Sequence, residues 1–327
     1  MLDLPITINQ LTLKNRLVMP PMHSGLAAEG GGVTEALAEY YAARTKYSAP
    51  GLVIMEHTCI TEAGRASATQ LSIADDDRID GHKRLTDAIH EAGGRVILQL
   101  NHGGAGAQPL EPCDRVSASA ISMPLKKLDR GMARALTKDE ILYLQERYVL
   151  AARRAMNAGY DGVEIHSAHG YLLDQFYSPL TNHREDEYGP QTIENRTRFL
   201  REAFAAVRSE LGGNTPMAVR LGGADYLPGG ATEEDAVEAC RLLEAAGVDL
   251  LDLSGGMCSF DRPDCTEPGY FGSMTEKIKA AVTVPVLLTG GVKTVADAER
   301  LLQEEKADLI GVGRALFRDA RWRENNP

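Results

Sequence analysis

Eight short apolar runs, separated by longer amphipathic stretches, constrain the fold of this 327-residue chain more than any other feature. The runs lie at 16–22, 51–60, 95–101, 162–166, 217–221, 250–254, 284–289 and 309–312. Between them, 34–48, 77–92, 138–158, 193–211, 233–246 and 295–304 read as helices. Thr232 precedes Glu233 and Glu234, an N-cap followed by acids in the first turn. Gly93, Gly159, Gly212 and Gly247 each stand where a helix should close. Strand–helix alternation with short links predicts a parallel sheet, and eight such units predict an α/β fold of the (β/α)8 TIM-barrel type. An open doubly wound sheet is the alternative, but no GxGxxG follows the first strand. Residues 5–13 alternate apolar and polar positions around Asn9-Gln10, which predicts an N-terminal β-hairpin closing the barrel bottom.

Composition narrows the partners. A net charge of −11 opposes binding to nucleic-acid phosphates. No apolar run approaches the length of a membrane span, and the first ten residues, MLDLPITINQ, lack the layout of a signal peptide. Five cysteines without a CxxC pair suggest scattered thiols in a reducing cytoplasm. The expectation is a cytoplasmic protein that binds neither nucleic acid nor membrane. Its oligomeric state is left open, a homo-oligomer included.

In such a barrel, chemistry belongs at the C-terminal ends of the strands, and polar residues collect there. His23 follows the first run, and His57 falls late in the second. Gln99 and His102 end the third, and His166, His169 and Tyr171 follow the fourth. Arg220 lies in the fifth run. The seventh and eighth runs end in Thr289-Gly290-Gly291 and Gly311-Val312-Gly313-Arg314. Glycines there let backbone N–H groups approach a phosphate, and a guanidinium suits paired contacts with its oxygens. Two imidazoles and a phenol within six residues can hold a carbonyl oxygen and deliver a proton. The same histidines could be read as zinc ligands, but no HExxH or third ligand stands nearby, so no metal is expected.

Several segments together resemble the old yellow enzyme family of FMN-dependent ene-reductases. They are LKNRLVMPPM (13–22), QLNHGG (99–104), the block from His166 to Gly189, ENRTRF (194–199), VRLGGADY (219–226), TGGV (289–292) and GVGRAL (311–316). The resemblance covers nearly the whole chain and implies one FMN-binding barrel over 1–327, reduced by NADH or NADPH. It implies that Gln99 and Arg220 contact the flavin pyrimidine edge, and that Pro21, Met22, His23 and His57 border the ring. Gly290, Gly291, Gly313 and Arg314 become the phosphate site. His166 and His169 become the donors to the oxygen of an electron-poor alkene, and Tyr171 the proton donor.

The chain departs from the family pattern at several places. His23 stands where the family carries Thr or Cys, and His57 where the residue is often small. Ala105 follows HGG where many members have arginine. Larger relatives that reduce dienoyl-CoA continue beyond the barrel with an iron–sulfur cysteine cluster. This chain ends at Pro327 without one, so the expectation is a stand-alone barrel. Arg321 and Arg323 are the late arginines available to enter a neighbour's site. Segment 103–136, rich in Pro and Ser, is expected to act as a lid. Two other functions stay open: an FMN barrel oxidising an amine or methylated substrate, and a flavin-free phosphate-binding lyase or isomerase.

Overall fold

Strands buried on both faces are largely apolar, and the eight runs fit that pattern apart from a few buried polar residues. In the computed structural model, which describes residues 1–111 and 113–326, each run becomes a parallel strand of one closed barrel. In chain order, a hairpin β1 (Ile6–Ile8) and β2 (Leu11–Leu13) leads into β3 (Leu17–Met19), α1 (Glu35–Tyr47), β4 (Leu52–Cys59), α2 (Ile79–Glu91) and β5 (Val96–Asn101). A small ladder, β6 (Val116–Ser117) and β7 (Arg134–Ala135), precedes α3 (Lys138–Asn157) and β8 (Gly162–Ser167). The second half runs through α4 (Leu172–Tyr177), α5 (Ile193–Arg196), α6 (Arg198–Leu211), β9 (Met217–Ala224), α7 (Glu233–Ala245) and β10 (Leu250–Gly255). It closes with α8 (Gly272–Lys279), β11 (Val286–Thr289), α9 (Val295–Gln303), β12 (Leu309–Gly311), α10 (Arg314–Arg318) and α11 (Trp322–Asn325). The barrel strands β3, β4, β5, β8, β9, β10, β11 and β12 pair in sequential order, with β12 returning to β3.

Local chemistry sets the helix boundaries. Thr137, Thr232 and Thr294 each form a capping box with the acid three residues on. Gly159 and Gly247 leave their helices at φ 87° and 88°, a backbone region that side chains with a Cβ avoid. The predicted helix over 193–211 is interrupted at Thr197. There the buried Arg196 turns inward, its Nε donating to the Tyr177 carbonyl and its guanidinium pairing with Asp235.

Two apolar layers explain the barrel's rigidity. Val53, Leu98, Val163, Val219 and Leu251 face the helices. Val18, Ile54, Ile97, Ala218, Leu250, Leu287 and Leu309 fill the interior, and Ile8, Leu11 and Leu13 of the hairpin cap that cluster. The hairpin therefore seals the N-terminal end, and the opposite end remains for chemistry.

Part of segment 103–136 packs into a small apolar cluster of its own. Ile121, Met123 and Ala133 bury against Ala105 and Met257, and Ile121 bridges Ala133. Pro112 lies outside the described residues.

Glu56 is buried within β4, accepting the Ser24 N–H, and burial pushes its carboxyl up to about 7. Below the ordinary carboxylate range the group is neutral in folded and unfolded chain alike. As pH rises from about 4.5 towards 7 the unfolded chain ionises first, so this group costs stability progressively. Glu56→Gln is therefore expected to flatten the fall of stability between pH 5 and pH 8 in urea unfolding. An unchanged pH slope would mean that Glu56 ionises in the native state as readily as in the unfolded chain.

Candidate functional site

A cavity of about 910 Å³ opens at the C-terminal ends of the strands. Thirteen of the residues singled out in the sequence line it: Pro21, Met22, His23, His57, Gln99, His166, His169, Tyr171, Arg220, Gly290, Gly291, Gly313 and Arg314. His102 does not. Its ring occupies the space a Cβ on Gly64 would need, 2.2 Å away, and its Nδ1 accepts the Gly104 N–H.

Strand alternation aims Gln99, His166 and Arg220 inward, because their neighbours Leu98, Leu100, Ile165, Val219 and Leu221 pack towards the helices. His57 needs a further device. The register between β4 and β5 shifts between Met55 and Thr58, so strict alternation from the inward Ile54 breaks. Such a bulge re-aims a side chain, and His57 enters the cavity where regular period two would face it outward.

Three buried residues that sequence reasoning passed over support this wall. Glu164 accepts from Gln99 Nε2 at 2.8 Å, which leaves the Gln99 carbonyl oxygen without a partner among the described residues. Asp252 Oδ2 lies 3.4 Å from Arg220 Nε, close enough for an ion pair but misaligned for a hydrogen bond. Burial raises both carboxyls above the usual range, the Asp252 charge adds to the rise at Glu164, and Arg220 opposes the rise at both. Ser254 Oγ meets His169 Nε2 at 2.8 Å and fixes that ring. Their signal was legible in principle: Glu164 lies two residues before His166, and Asp252 two before Ser254, on the same inward face.

After β8 the chain turns through two left-handed residues, His169 at φ 61° and Gly170 at φ 77°. A histidine there is strained, and Asp174 steadies the turn by accepting the Gly170 N–H at 2.6 Å. The turn brings the His166 ring 5.1 Å from His169 and 5.5 Å from Tyr171, centroid to centroid. Burial holds both imidazoles well below their ordinary pKa, so they are neutral at pH 7. Burial also raises the Tyr171 phenol to about 12. His166 Nδ1 has no hydrogen-bond partner within the chain among the described residues.

The β11–β12 side differs in character. Gly290 and Gly291 lie against the Tyr270 ring, so close that a Cβ on Gly291 would come within 2.6 Å of it. Arg314 pairs with Asp261 at 3.0 Å, and Lys293 and Arg318 line the same end. Arg321 pairs with Glu324 and Arg323 with Asp3, so both late arginines are engaged within the chain. Among the described residues no helix is long and apolar enough to cross a membrane.

The chain matches the NADH:flavin oxidoreductase / NADH oxidase family over residues 2–325. It is 37% identical to the NADPH dehydrogenase of Geobacillus thermodenitrificans, covering 97% of this chain and 91% of that protein. It is also 35% identical to the NADH oxidase of Thermoanaerobacter brockii over 96% of this chain, but spans only 49% of that relative's length. Among solved structures, the old yellow enzyme homologue from Zymomonas mobilis overlays with a TM-score of 0.83 at 32% identity, covering 96% of this chain and 89% of that one. Fold and comparisons together define the class as the FMN-type flavin oxidoreductases. Within it, the chain belongs to the NADH:flavin oxidoreductase / NADH oxidase family, of old yellow enzyme type.

The cavity fits FMN on its own chemistry. An unpaired carbonyl on Gln99 and an incompletely paired guanidinium on Arg220 await a polar ring edge. The cations Lys293, Arg314 and Arg318 suit a phosphate.

Proposed function

We propose that the protein reduces the C=C bond of small electron-poor alkenes, such as enones and nitroalkenes, at the expense of NADH or NADPH. The observation that supports this reading is that His166, His169 and Tyr171 line the same cavity as Gln99 and Arg220. Bound FMN supplies the hydride, which it receives from the nicotinamide. The chain's own residues do the rest.

FMN would be held by Gln99 and Arg220 at its polar ring edge, with Pro21, Met22, His23 and His57 bordering the ring. Gly290, Gly291, Gly313 and Arg314 receive the phosphate. His166 and His169 hydrogen-bond the substrate oxygen, where negative charge grows as the β-carbon gains hydride. Because both rings are neutral, they act as fixed dipolar donors, each worth about 10²–10³ in rate. Tyr171 keeps its proton across the neutral range and delivers it to the α-carbon. Solvent then restores the phenol.

Morphinone reductase, 28% identical with a TM-score of 0.82, has been captured with tetrahydroNAD. A complex of 2-naphthoyl-CoA reductase with 2-naphthoyl-CoA overlays at a TM-score of 0.90, which adds thioesters to the substrates worth testing. Incubation with NADH or NADPH and cyclohexenone, β-nitrostyrene or crotonyl-CoA should give the saturated product from at least one. No saturated product from any of them would contradict the reading and favour an oxidising, demethylase-type barrel.

A further inference from the structure

Four of the chain's eight histidines stand in one row with Tyr171 along the cavity wall. Successive centroids are 5.1 Å apart from His169 to His166, 5.5 Å from His166 to Tyr171, 5.4 Å from Tyr171 to His57 and 5.6 Å from His57 to His23. The proposed function gives the first imidazole pair and the phenol their chemical tasks. His57, beyond the phenol and with its ring stacked on it, has so far only bordered the flavin.

Hydrogen bonding determines which nitrogen of His57 carries the proton. Gln70 Nε2 lies 3.0 Å from His57 Nδ1, and Asn101 Nδ2 lies 3.1 Å from it. Gln70 cannot present its oxygen instead, because that oxygen already accepts the Ala66 N–H at 2.6 Å. An amide N–H facing the ring needs an acceptor, so Nδ1 carries the lone pair and Nε2 the proton. Burial keeps the ring neutral, with its pKa lowered to about 3. Nε2–H is then the one polar group His57 has left, and no hydrogen bond within the chain uses it among the described residues. His23 does not compete for it, since its own Nε2 faces the Ser67 and Thr69 hydroxyls, each at 3.3 Å.

We propose that His57 is a specificity-determining donor for a second acceptor oxygen, so that the preferred alkenes carry electron-withdrawing carbonyls at both ends, as ene-diones and maleimides do. The inference rests on the alkene-reducing reading of the same site. One carbonyl oxygen sits on His166 and His169, the C=C bond lies beside Tyr171, and the second carbonyl runs past the phenol to His57 Nε2–H. The electron balance is that of the simple enone. The β-carbon takes the hydride, two electrons, that reduced flavin supplies, the α-carbon takes the Tyr171 proton, and the nicotinamide is the terminal reductant.

The saturated products make suitable probes because they bind without turnover. N-ethylsuccinimide has two acceptors and cyclopentanone has one, and both can be titrated into oxidised holoenzyme by the change in flavin absorbance. In His57→Phe, the preference for the imide, read as the ratio of the two dissociation constants, should fall about fivefold. His57→Gln, whose amide can accept from Gln70 and donate to the cavity, should recover most of that preference. An equal change for both ligands, or no change for either, would overturn the proposal. The wild-type protein gives an independent reading that does not depend on the variants folding. Selective ¹⁵N-histidine labelling should report His57 protonated on Nε2 and bare on Nδ1, and a proton on Nδ1 would overturn the proposal. Failure of the wild-type enzyme to reduce any alkene would instead remove the reading beneath it, a result distinct from an unchanged binding ratio.

Discussion

Tyr171→Phe is expected to slow reduction of the alkene by about 10²–10⁴, the range typical of a lost general acid, while reduction of the flavin by the nicotinamide changes little. The substitution removes only the hydroxyl. The ring that stacks on His57 at 5.4 Å and leans on His166 at 5.5 Å remains, so the cavity wall keeps its shape. Hydride delivery to the flavin involves no proton from this position. In the proposed reaction, the developing enolate carbon would then have to wait for water, while His166 and His169 would still hold its oxygen. Rapid mixing resolves the two half-reactions. Equal losses in both would make Tyr171 a structural residue.

Arg220→Met carries the second large effect, and it falls on stability as well as on the cofactor. Arg220 is buried with Asp252 at 3.4 Å, and its charge also offsets the neighbouring Glu164. Removing one partner of a buried pair typically costs about 3–5 kcal/mol, because the remaining charge is stranded. Here two acids lose their cation, and each of their folded pKa values rises further. The sign follows from that rise. Below the carboxylate range both acids are neutral and the variant suffers least, and the deficit grows as pH increases through the raised values. Urea unfolding at pH 5 and pH 8 should find the larger loss at pH 8. Under the proposed placement of the flavin against Arg220, the variant's flavin should also be harder to reduce, since a nearby cation is gone. A variant as stable as the parent at pH 8 would mean that Arg220 compensates no charge on Glu164 or Asp252.

How much of this was legible in the sequence follows from how local each signal is. The eight strands were visible because burial on both faces demands continuous apolar runs, and the Thr caps and closing glycines marked most helix ends. The break at Thr197 was hidden, because it depends on Arg196 reaching Tyr177 and Asp235, residues distant in the chain. The fold of segment 103–136 was equally hidden. Ile121, Met123 and Ala133 bury against Met257 from another loop, and nothing periodic announces that.

Thirteen of the cavity's lining residues were legible from strand-end positions or from the family resemblance, but Ser254, Tyr270 and the polar layer beneath were not. Glu164 and Asp252 read as ordinary strand acids until Gln99 and Arg220 are seen resting on them. His57 is the instructive case. Its placement was anticipated from resemblance, but its orientation comes from the bulge in β4, and its proton from Gln70. Tyr270 was overlooked, although its ring is what forbids a side chain at Gly291.

The most direct test of the account is anaerobic. Holoenzyme reduced by one equivalent of NADH or NADPH is mixed with cyclohexenone, and the oxidised flavin absorbance is followed. The yellow colour should return at a rate set by alkene concentration, and cyclohexanone should form in equal amount. Reduced flavin that stays bleached with enones, nitroalkenes and enoyl thioesters alike would contradict it.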